Sequence, residues 1–388
     1  MYPISKALEE ALGSNVTYNT RIEISNDGKS WIDIGKAVTS GDITYNSTNT
    51  AHWQSTITLN SKKLEINPSY INTLTTRFRL TRLCRIPRLG VEEIPWGVYR
   101  LDNKTVVTKK GTITLPGYSF EKKIEDHRFV LPRKFPKQLL KELVYTLVSE
   151  VEPGARVLWY TDKANEYIGS FYEEKDRYSI LMGSSNDKPS LSVAYNLLMG
   201  FDNSGNFAIK DKPKIDPNNI AWTDTLLKRL SVEESFNDTR EQLYNVLVVS
   251  GISSGENKPP LGPVVVWDNN PSSLTYAGSD PSNYAPSSQF GIVPRYYKSP
   301  LFTNINQLRQ TGTSLLSESL MVKSKVTLTG IGHPGLQPGD TMQTSYGLNL
   351  LLGWSSNLDN VNMTFELEAS KDNIGDIEVN DVASETNL

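Results

Sequence analysis

The 388-residue chain has one cysteine and three histidines, and no apolar run approaches the ~18–20 residues of a membrane helix. The single cysteine, Cys84, excludes an internal disulfide and a cysteine-based zinc site. Its apolar neighbours predict a small buried side chain instead of a nucleophile. Glutamates interrupt the N-terminal segment where an export signal needs apolar residues. The sequence therefore predicts neither a membrane-spanning protein nor one exported by such a signal.

The three histidines lie in separate segments, at His52, His127 and His333. None has a second histidine at metal-ligand spacing, which excludes a zincin-type pair. The phosphate loop, the dinucleotide glycine fingerprint and the nucleophile elbow are also absent. Ser185–Lys188 matches a Ser-x-x-Lys pattern, but Pro189 follows in a predicted loop, so we interpret the match as chance.

Carboxylates are numerous but are not arranged for catalysis. Glu92–Glu93, Glu173–Glu174 and Glu233–Glu234 are adjacent pairs, and neighbours on a strand point to opposite faces. Such a pair cannot flank one glycosidic bond. Asp202–Asn206 resembles a calcium loop but lacks the closing glutamate, so a hairpin turn is predicted. The sequence predicts no catalytic residue, cofactor or metal site. A glycosidase assembled from distant acids is the enzymatic alternative.

Charge is unevenly distributed, although the net charge is only −3. Residues 1–135 hold 20 Lys and Arg against 13 Asp and Glu, whereas the remainder holds 20 against 30. This asymmetry is typical of a charged partner or a polar seam between subunits. The chain as a whole is mildly acidic and has no aromatic stacking ladder, which argues against nucleic-acid binding. The densest basic cluster supplies five candidate interface residues: Arg77, Arg79, Arg82, Arg85 and Arg88.

The first third of the chain has the pattern of an all-β domain. Arg21–Ser25 and Trp31–Ile34 alternate polar and apolar residues around the hairpin signal Asn26–Gly28. Many short strands separated by regular turns favour a barrel or a sandwich. Further strands are predicted at 43–45, 53–59, 78–83, 97–101 and 112–115.

The pattern changes near Pro136. Apolar residues at helical spacing predict one helix over 139–151 and a second over Pro189–Met199. A hairpin is predicted over 201–210. Together these elements predict a small α+β module within 136–225.

A second β region follows the module, with its strongest strand at Asn245–Ser250. Residues 252–302 are rich in Pro, Ser, Gly and Asn, with one clear strand at Val264–Trp267. So long an irregular segment is either an interfacial arm or a mobile surface loop. A helix is predicted over 305–320. The acidic residues 371–388 predict a tail that is flexible unless something holds it.

Three groups of motifs follow one another between residues 20 and 345. They are Ala37–Asn46 with His52–Leu59, Ile94–Asp102 with Thr112–Ser119, and the series Asp268–Ser273, Phe290–Pro294, Lys298–Thr303 and Leu336–Asp340. Their order and spacing resemble the minor tail, or baseplate hub, proteins of tailed bacteriophages, especially long-tailed phages of Gram-positive hosts.

The resemblance implies a mainly β fold with α+β insertions, in which a small α+β module joins two β-barrel hub domains of one chain. It implies a structural virion protein of the tail tip and no enzyme, since no fused peptidase or glycan-hydrolase domain is visible. The implied domains are the N-terminal helix 1–13, a first barrel 14–132, the module 133–227, a second barrel 228–370 with an arm 252–302 and a helix 303–321, and the tail 371–388.

The resemblance also implies partners. Three copies form a ring of six barrels that links the tail tube protein or the distal tail protein to threefold tip components. Contacts with the tape measure protein and with central fibre or spike proteins are implied, without a membrane, as is passage of the genome through the channel. Assembly is expected in the host cytoplasm. We expect the basic first region to meet the acidic second region of a neighbouring subunit, with 268–302 as an arm.

Two alternatives stay open at this point. One is a hexameric distal tail protein, and the other is a glycan-binding or host-adhesion β protein of the tail tip. The second alternative relies on aromatic rings in loops that could stack on sugars. These rings, which are also candidate interface residues, belong to Tyr276, Tyr284, Tyr296 and Tyr297.

Overall fold

The fold is known from a computed structural model. It describes residues 2–14, 16–173, 176–183, 190–237, 243–251, 261–283, 286–299, 301–302, 304–320, 325–358, 360–369 and 377–381. No helix within these ranges combines the length and the apolar character needed to cross a bilayer.

The N-terminal third is a short helix followed by strands. β4 shows why these residues form strands: its alternate side chains are buried from Trp53 to Leu59, which matches the two-residue period of a half-buried strand. The predicted strands of this region are confirmed. The elements are α1 (Lys6–Ala11), β1 (Thr17–Ser25), β2 (Ile32–Asp33), β3 (Val38–Asn46), β4 (Trp53–Asn60), β5 (Arg77–Ile86), β6 (Gly90–Leu101), β7 (Thr105–Val107) and β8 (Thr112–Tyr118).

The middle of the chain is the α+β module. Its principal helix, predicted over 139–151, is confirmed and buries one apolar face. The elements are α2 (Glu121–Asp126), β9 (Arg133–Phe135), β10 (Gln138–Leu139), α3 (Leu140–Ser149), β11 (Val157–Tyr160), β12 (Tyr167–Ile168), β13 (Phe171–Glu173), α4 (Arg177–Leu181), α5 (Leu191–Ala194), β14 (Leu197–Phe201), β15 (Phe207–Asp211), β16 (Ile220–Trp222) and α6 (Asp224–Leu230).

The helix predicted over Pro189–Met199 is wrong in its second half. Pro189 itself lies outside the described residues, and α5 ends at Ala194. Leu197, Met199 and Phe201 are buried in β14, which pairs with β15. Strand pairing therefore overrides the helical spacing of the preceding residues.

The last third contains strands around one long helix. That helix, predicted over 305–320, is confirmed. The elements are β17 (Ser231–Asn237), β18 (Val246–Gly251), β19 (Val264–Asp268), β20 (Pro294–Ser299), α7 (Ile305–Leu320), β21 (Lys325–Ile331), β22 (Thr341–Thr344), β23 (Gly347–Asn357), β24 (Asn362–Ala369) and β25 (Ile377–Asp381). β25 lies within the predicted flexible tail and is held there by pairing with β19.

One large sheet contains two units with the same strand order. The first unit runs β1-β5-β6-β8-β4-β3, and the second runs β16-β22-β23-β24-β21-β17. With the strands of each unit numbered along the chain, both follow the order 1-4-5-6-3-2. The units differ in two respects: β1 pairs with β5 antiparallel whereas β16 pairs with β22 parallel, and the first unit has two added strands, β2 beside β1 and β7 beside β8, without counterparts among the described strands of the second. The predicted mainly β fold is confirmed. No ladder among the described strands closes either unit, so the barrels stay a prediction.

The two units are joined within the chain by β3 and β23. Asp42–Asn46 pair antiparallel with Gly353–Asn357, which continues the first unit's sheet into the second. Both units also contribute to one hydrophobic core. At its centre Trp354 of the second unit lies 5.7 Å from Trp53 of the first, ring centre to ring centre. The units are therefore packed as one body.

A second core lies in the module. It combines buried residues of α3 and β14 with residues of β18, β19 and α7. The four-stranded sheet β20-β18-β19-β25 thus packs on the module side, with α7 against β18 and β19. Two separate stretches of sequence build this core.

Candidate interaction surfaces

The five candidate arginines of the first unit do not share one surface. Alternate residues of a strand point to opposite faces, so Arg82 lies on the core face of β5 and is 2% exposed. Arg77 and Arg79 are half-buried on the opposite face, whereas Arg85 and Arg88 are exposed. The expectation of a single basic cluster is therefore wrong, because the five arginines occupy three different environments.

Arg82 is part of the interior, where it joins the two units. Its Nη1 donates to the carbonyl oxygen of Leu358 at 2.8 Å and to Thr20 Oγ1 at 3.1 Å. Its Nη2 donates to the carbonyl oxygen of Asn360 at 2.6 Å, and its guanidinium lies 4.6 Å from the centre of the Trp96 ring. Leu358 and Asn360 belong to the turn between β23 and β24. Arg82 is thus not accessible to a partner.

Arg77 and Arg79 line a groove of about 890 Å³ between the first unit and the module. Arg79 donates two hydrogen bonds to the carboxylate of Glu23, at 2.8 and 3.0 Å. Arg77 donates two to the carboxylate of Glu152, at 3.0 and 3.2 Å. Such bidentate pairs neutralise the guanidinium charges. Glu152 lies outside residues 1–135, so its pair with Arg77 balances part of the positive surplus of that region inside the molecule.

The remaining two arginines lie where β5 turns into β6, Arg85 near the end of β5 and Arg88 in the turn. We call this segment the hairpin tip (Arg85–Val91). Leu89 is 70% exposed and Val91 45% exposed. Neither Arg85 nor Arg88 has a carboxylate partner among the residues that the structure describes. The hairpin tip thus combines two unneutralised cations with exposed apolar side chains, which is typical of a protein-binding surface.

The candidate tyrosines are also divided. Tyr296 and Tyr297 lie in β20 and not in a loop, and their exposed fractions are 65% and 6%. The expected exposure of Tyr297 is therefore wrong, because its side chain packs in the module core. Tyr276 is half-buried, and Tyr284 lies outside the described residues. No paired aromatic platform for a sugar is present in the described part of this region.

The described residues of the expected arm fold back onto their own chain. Buried Asn245 Nδ2 donates to the carbonyl oxygens of Thr275 and Gly291, both at 2.7 Å. The amide of Val293 donates to Asn245 Oδ1 at 2.8 Å. The Asn245 side chain thereby holds Thr275, Gly291 and Val293 together. β20, which begins directly after Val293, lies beside β18 in the sheet.

Three titratable side chains, those of His52, His333 and Cys84, are buried in the protein interior. His52 Nδ1 lies 3.5 Å from Glu121 Oε1 at the boundary between the first unit and the module, and burial lowers the pKa of His52. Burial also lowers the pKa of His333, to about 4, and raises that of Cys84 to about 12. Cys84 is buried, as predicted. Among the described residues, no three His, Cys, Asp or Glu side chains group as metal ligands.

The residues considered above for catalysis either have separate structural partners or lie outside the described residues. Glu92 accepts hydrogen bonds from Ser5, whereas Glu93 pairs with Arg21. Ser185, Lys188 and Glu174 lie outside the described residues. Asp202–Asn206 is the predicted hairpin turn, in which Asp202 Oδ1 accepts from the amides at 204 and 206.

Sequence reasoning missed Leu89 and Val91 as surface residues, and it missed the edge of β17. A usable signal exists for the hairpin tip, since Pro87 and Gly90 mark a turn between two strands. For β17 no local signal exists, because a strand becomes an edge through the pairing of distant residues.

Comparison with known proteins reveals similarity in structure alone. No family model matches the chain, and no curated protein matches it in sequence. The fold is similar to that of a tail protein from Neisseria meningitidis, with a TM-score of 0.60 and 12% identity over 92% of this chain and 97% of that one. A 43 kDa tail protein of prophage MuSo2 from Shewanella oneidensis gives 0.58 and 12%, over 89% and 98%. Prophage tail protein gp18 from Listeria monocytogenes gives 0.53 and 10%, over 91% and 96%. The chain therefore has the fold of phage tail proteins over nearly its full length.

Proposed function

We propose that this chain is a structural hub protein of a bacteriophage tail tip, in which three copies form a ring. The ring joins the sixfold tail tube or the distal tail protein to threefold tip components. It works by shape and pairing, without catalysis or a cofactor. Its location is the virion, with the tape measure protein and a central fibre or spike protein as further neighbours.

One observation carries the proposal, namely the repeated strand order of the two units. Three chains with two equivalent units each provide six equivalent positions around an axis. Such a ring can contact a sixfold partner on one side and a threefold partner on the other. The full-length similarity to three phage tail proteins supports the same reading.

The mass of the purified chain in solution tests the proposal. We expect three chains per particle by native mass spectrometry, and a ring with six similar lobes by negative-stain electron microscopy. A stable particle of six chains would favour the hexameric distal tail protein instead. A particle that stays a single chain at all accessible concentrations would contradict the proposal.

A further inference from the structure

We infer that the outer edge of β17 binds the hairpin tip of a second copy of this chain. The inference rests on the proposed trimer and deepens it by naming the two surfaces that meet. It starts from the repeated strand order, which makes β17 the counterpart of β3. Each is the second strand of its unit along the chain and the last in its spatial order.

Within one chain, the edge of β3 is already occupied. Asp42–Asn46 pair with Gly353–Asn357 of β23, the fifth strand of the second unit. The counterpart edge of β17 has no strand partner among the residues that the structure describes, since its single described ladder is to β21. A bare strand edge is a ready template for pairing with another chain.

The fifth strand of the first unit is β6, the counterpart of β23, and β6 begins in the hairpin tip. The repeat thus identifies the free edge of β17, whereas the exposed side chains of the hairpin tip identify its partner. The proposed contact differs from the in-chain junction, because that junction uses the last residues of β23 and because β5 pairs with β6 from Gly90 to Arg100. The side chains at the start of β6 and in the turn before it are nevertheless exposed.

The chemistry of the two surfaces is complementary. On β17, Val232 is 72% exposed and Glu233 is exposed, without a cationic partner among the described residues. On the hairpin tip, the exposed groups are cationic Arg85 and Arg88 and apolar Leu89. Opposite charges beside apolar contacts favour association and fix its register. A second copy of this chain supplies both surfaces, and head-to-tail contacts between different patches can close a ring.

A charge-reversal series tests the inference in the full-length chain. We expect the double variant Arg85→Glu/Arg88→Glu to weaken trimer association by about a hundredfold, and Glu233→Arg by about tenfold. Adding Glu233→Arg to the double variant should restore most of the lost association, because opposite charges face each other again. Lys109→Glu/Lys110→Glu is the matched control, since it changes the same net charge at exposed residues in the turn after β7. It should leave association within about threefold of the unchanged chain.

The outcomes separate this inference from the proposed function. If the unchanged chain forms trimers and the double variant forms them equally well, the inference is overturned while the trimer stands. If the unchanged chain forms no trimer, the proposed function itself fails. Circular dichroism verifies that each variant is folded. A disulfide pair, Val91→Cys with Val232→Cys, provides a second readout. Covalent dimers and trimers under oxidising conditions support the contact, and exclusively monomeric chains contradict it.

Discussion

Arg82 is one of the residues that join the two units. A buried guanidinium is tolerated where its donors find acceptors and its charge finds aromatic faces or anions. Here the acceptors are main-chain carbonyls of the β23–β24 turn, so a first-unit side chain fixes a second-unit loop. The Arg82 guanidinium thus stabilises the contact between the two units instead of binding a partner protein.

Replacing Arg82 tests that role. Arg82→Met keeps much of the side-chain volume but leaves the carbonyl groups of Leu358 and Asn360 without this donor. We expect the free energy of unfolding to fall by about 2–4 kcal/mol, measured by urea denaturation followed through tryptophan fluorescence. Arg156→Met, the same change at an exposed arginine, should stay within about 0.5 kcal/mol. Equal losses in the two variants would refute the role of Arg82.

Single residues show where sequence reasoning succeeds and where it stops. The parity of positions along β5 places Arg82 on the face of Leu80 and Cys84, so its burial was accessible from the two-residue period. Tyr297 was misjudged because 252–302 has the composition of a loop. Its burial depends on β18, in which its partner Val249 is remote in sequence, and composition does not encode such contacts.

Among the elements, β23 has a sequence pattern that conceals its buried face. Its inward positions include Asn349, which is fully buried, whereas its neighbours Leu348 and Leu350 are only half-buried. A polar residue inside and apolar residues outside invert the expected alternation. Asn349 is tolerated because its Nδ2 donates to Thr344 Oγ1 and to the carbonyl oxygen of Gly347, both at 2.7 Å. Hairpins with regular alternation, such as β1–β2, were predictable.

The junction of β3 with β23 depends on close backbone approach at Gly353. A Cβ atom there would lie 2.5 Å from the carbonyl oxygen of Tyr45 and 2.7 Å from Asn46 Cα, which are main-chain atoms of β3. We therefore expect Gly353→Ala to lower the free energy of unfolding by about 1–3 kcal/mol. Hydrogen exchange should accelerate in Asp42–Asn46.

Gly154→Ala is the control for this change. Its added Cβ would meet nothing closer than 3.7 Å, at Glu152 Oε1. Its stability and exchange pattern should match those of the unchanged chain. Unaltered exchange in β3 of Gly353→Ala would indicate that the close approach does not matter.

At the scale of the whole molecule, the two units share a core. Trp354 lies 5.2 Å from Trp96 and 5.7 Å from Trp53, so removal of the second unit exposes a large aromatic surface of the first. We expect a chain that ends at residue 219, before β16, to lack a cooperative thermal transition and to bind a hydrophobic dye. A chain that ends at Asp381 keeps every described element and should unfold like the full chain. Cooperative unfolding of the shorter chain would contradict the shared core.

The sequence predicts the fold class but not the order of the strands in the sheet. Alternating segments indicated a mainly β fold, and ordered motifs such as Ile94–Asp102 indicated its resemblance to tail proteins. The repeated strand order was not visible, because it depends on pairings such as β8 with β4 that join residues far apart in the chain. Only about two thirds of consecutive strands are spatial neighbours, so strand order cannot be read along the sequence.

The strand order shared by the two units has an evolutionary consequence. Outside the shared core, a substitution in one unit has no obligatory counterpart in the other, so each half can diverge there while the order of strands is retained. The parallel pairing of β16 with β22 and the shortness of β22 relative to β5 fit such divergence. A common origin of the two halves would then remain detectable in their strand order after the sequence similarity between them is lost.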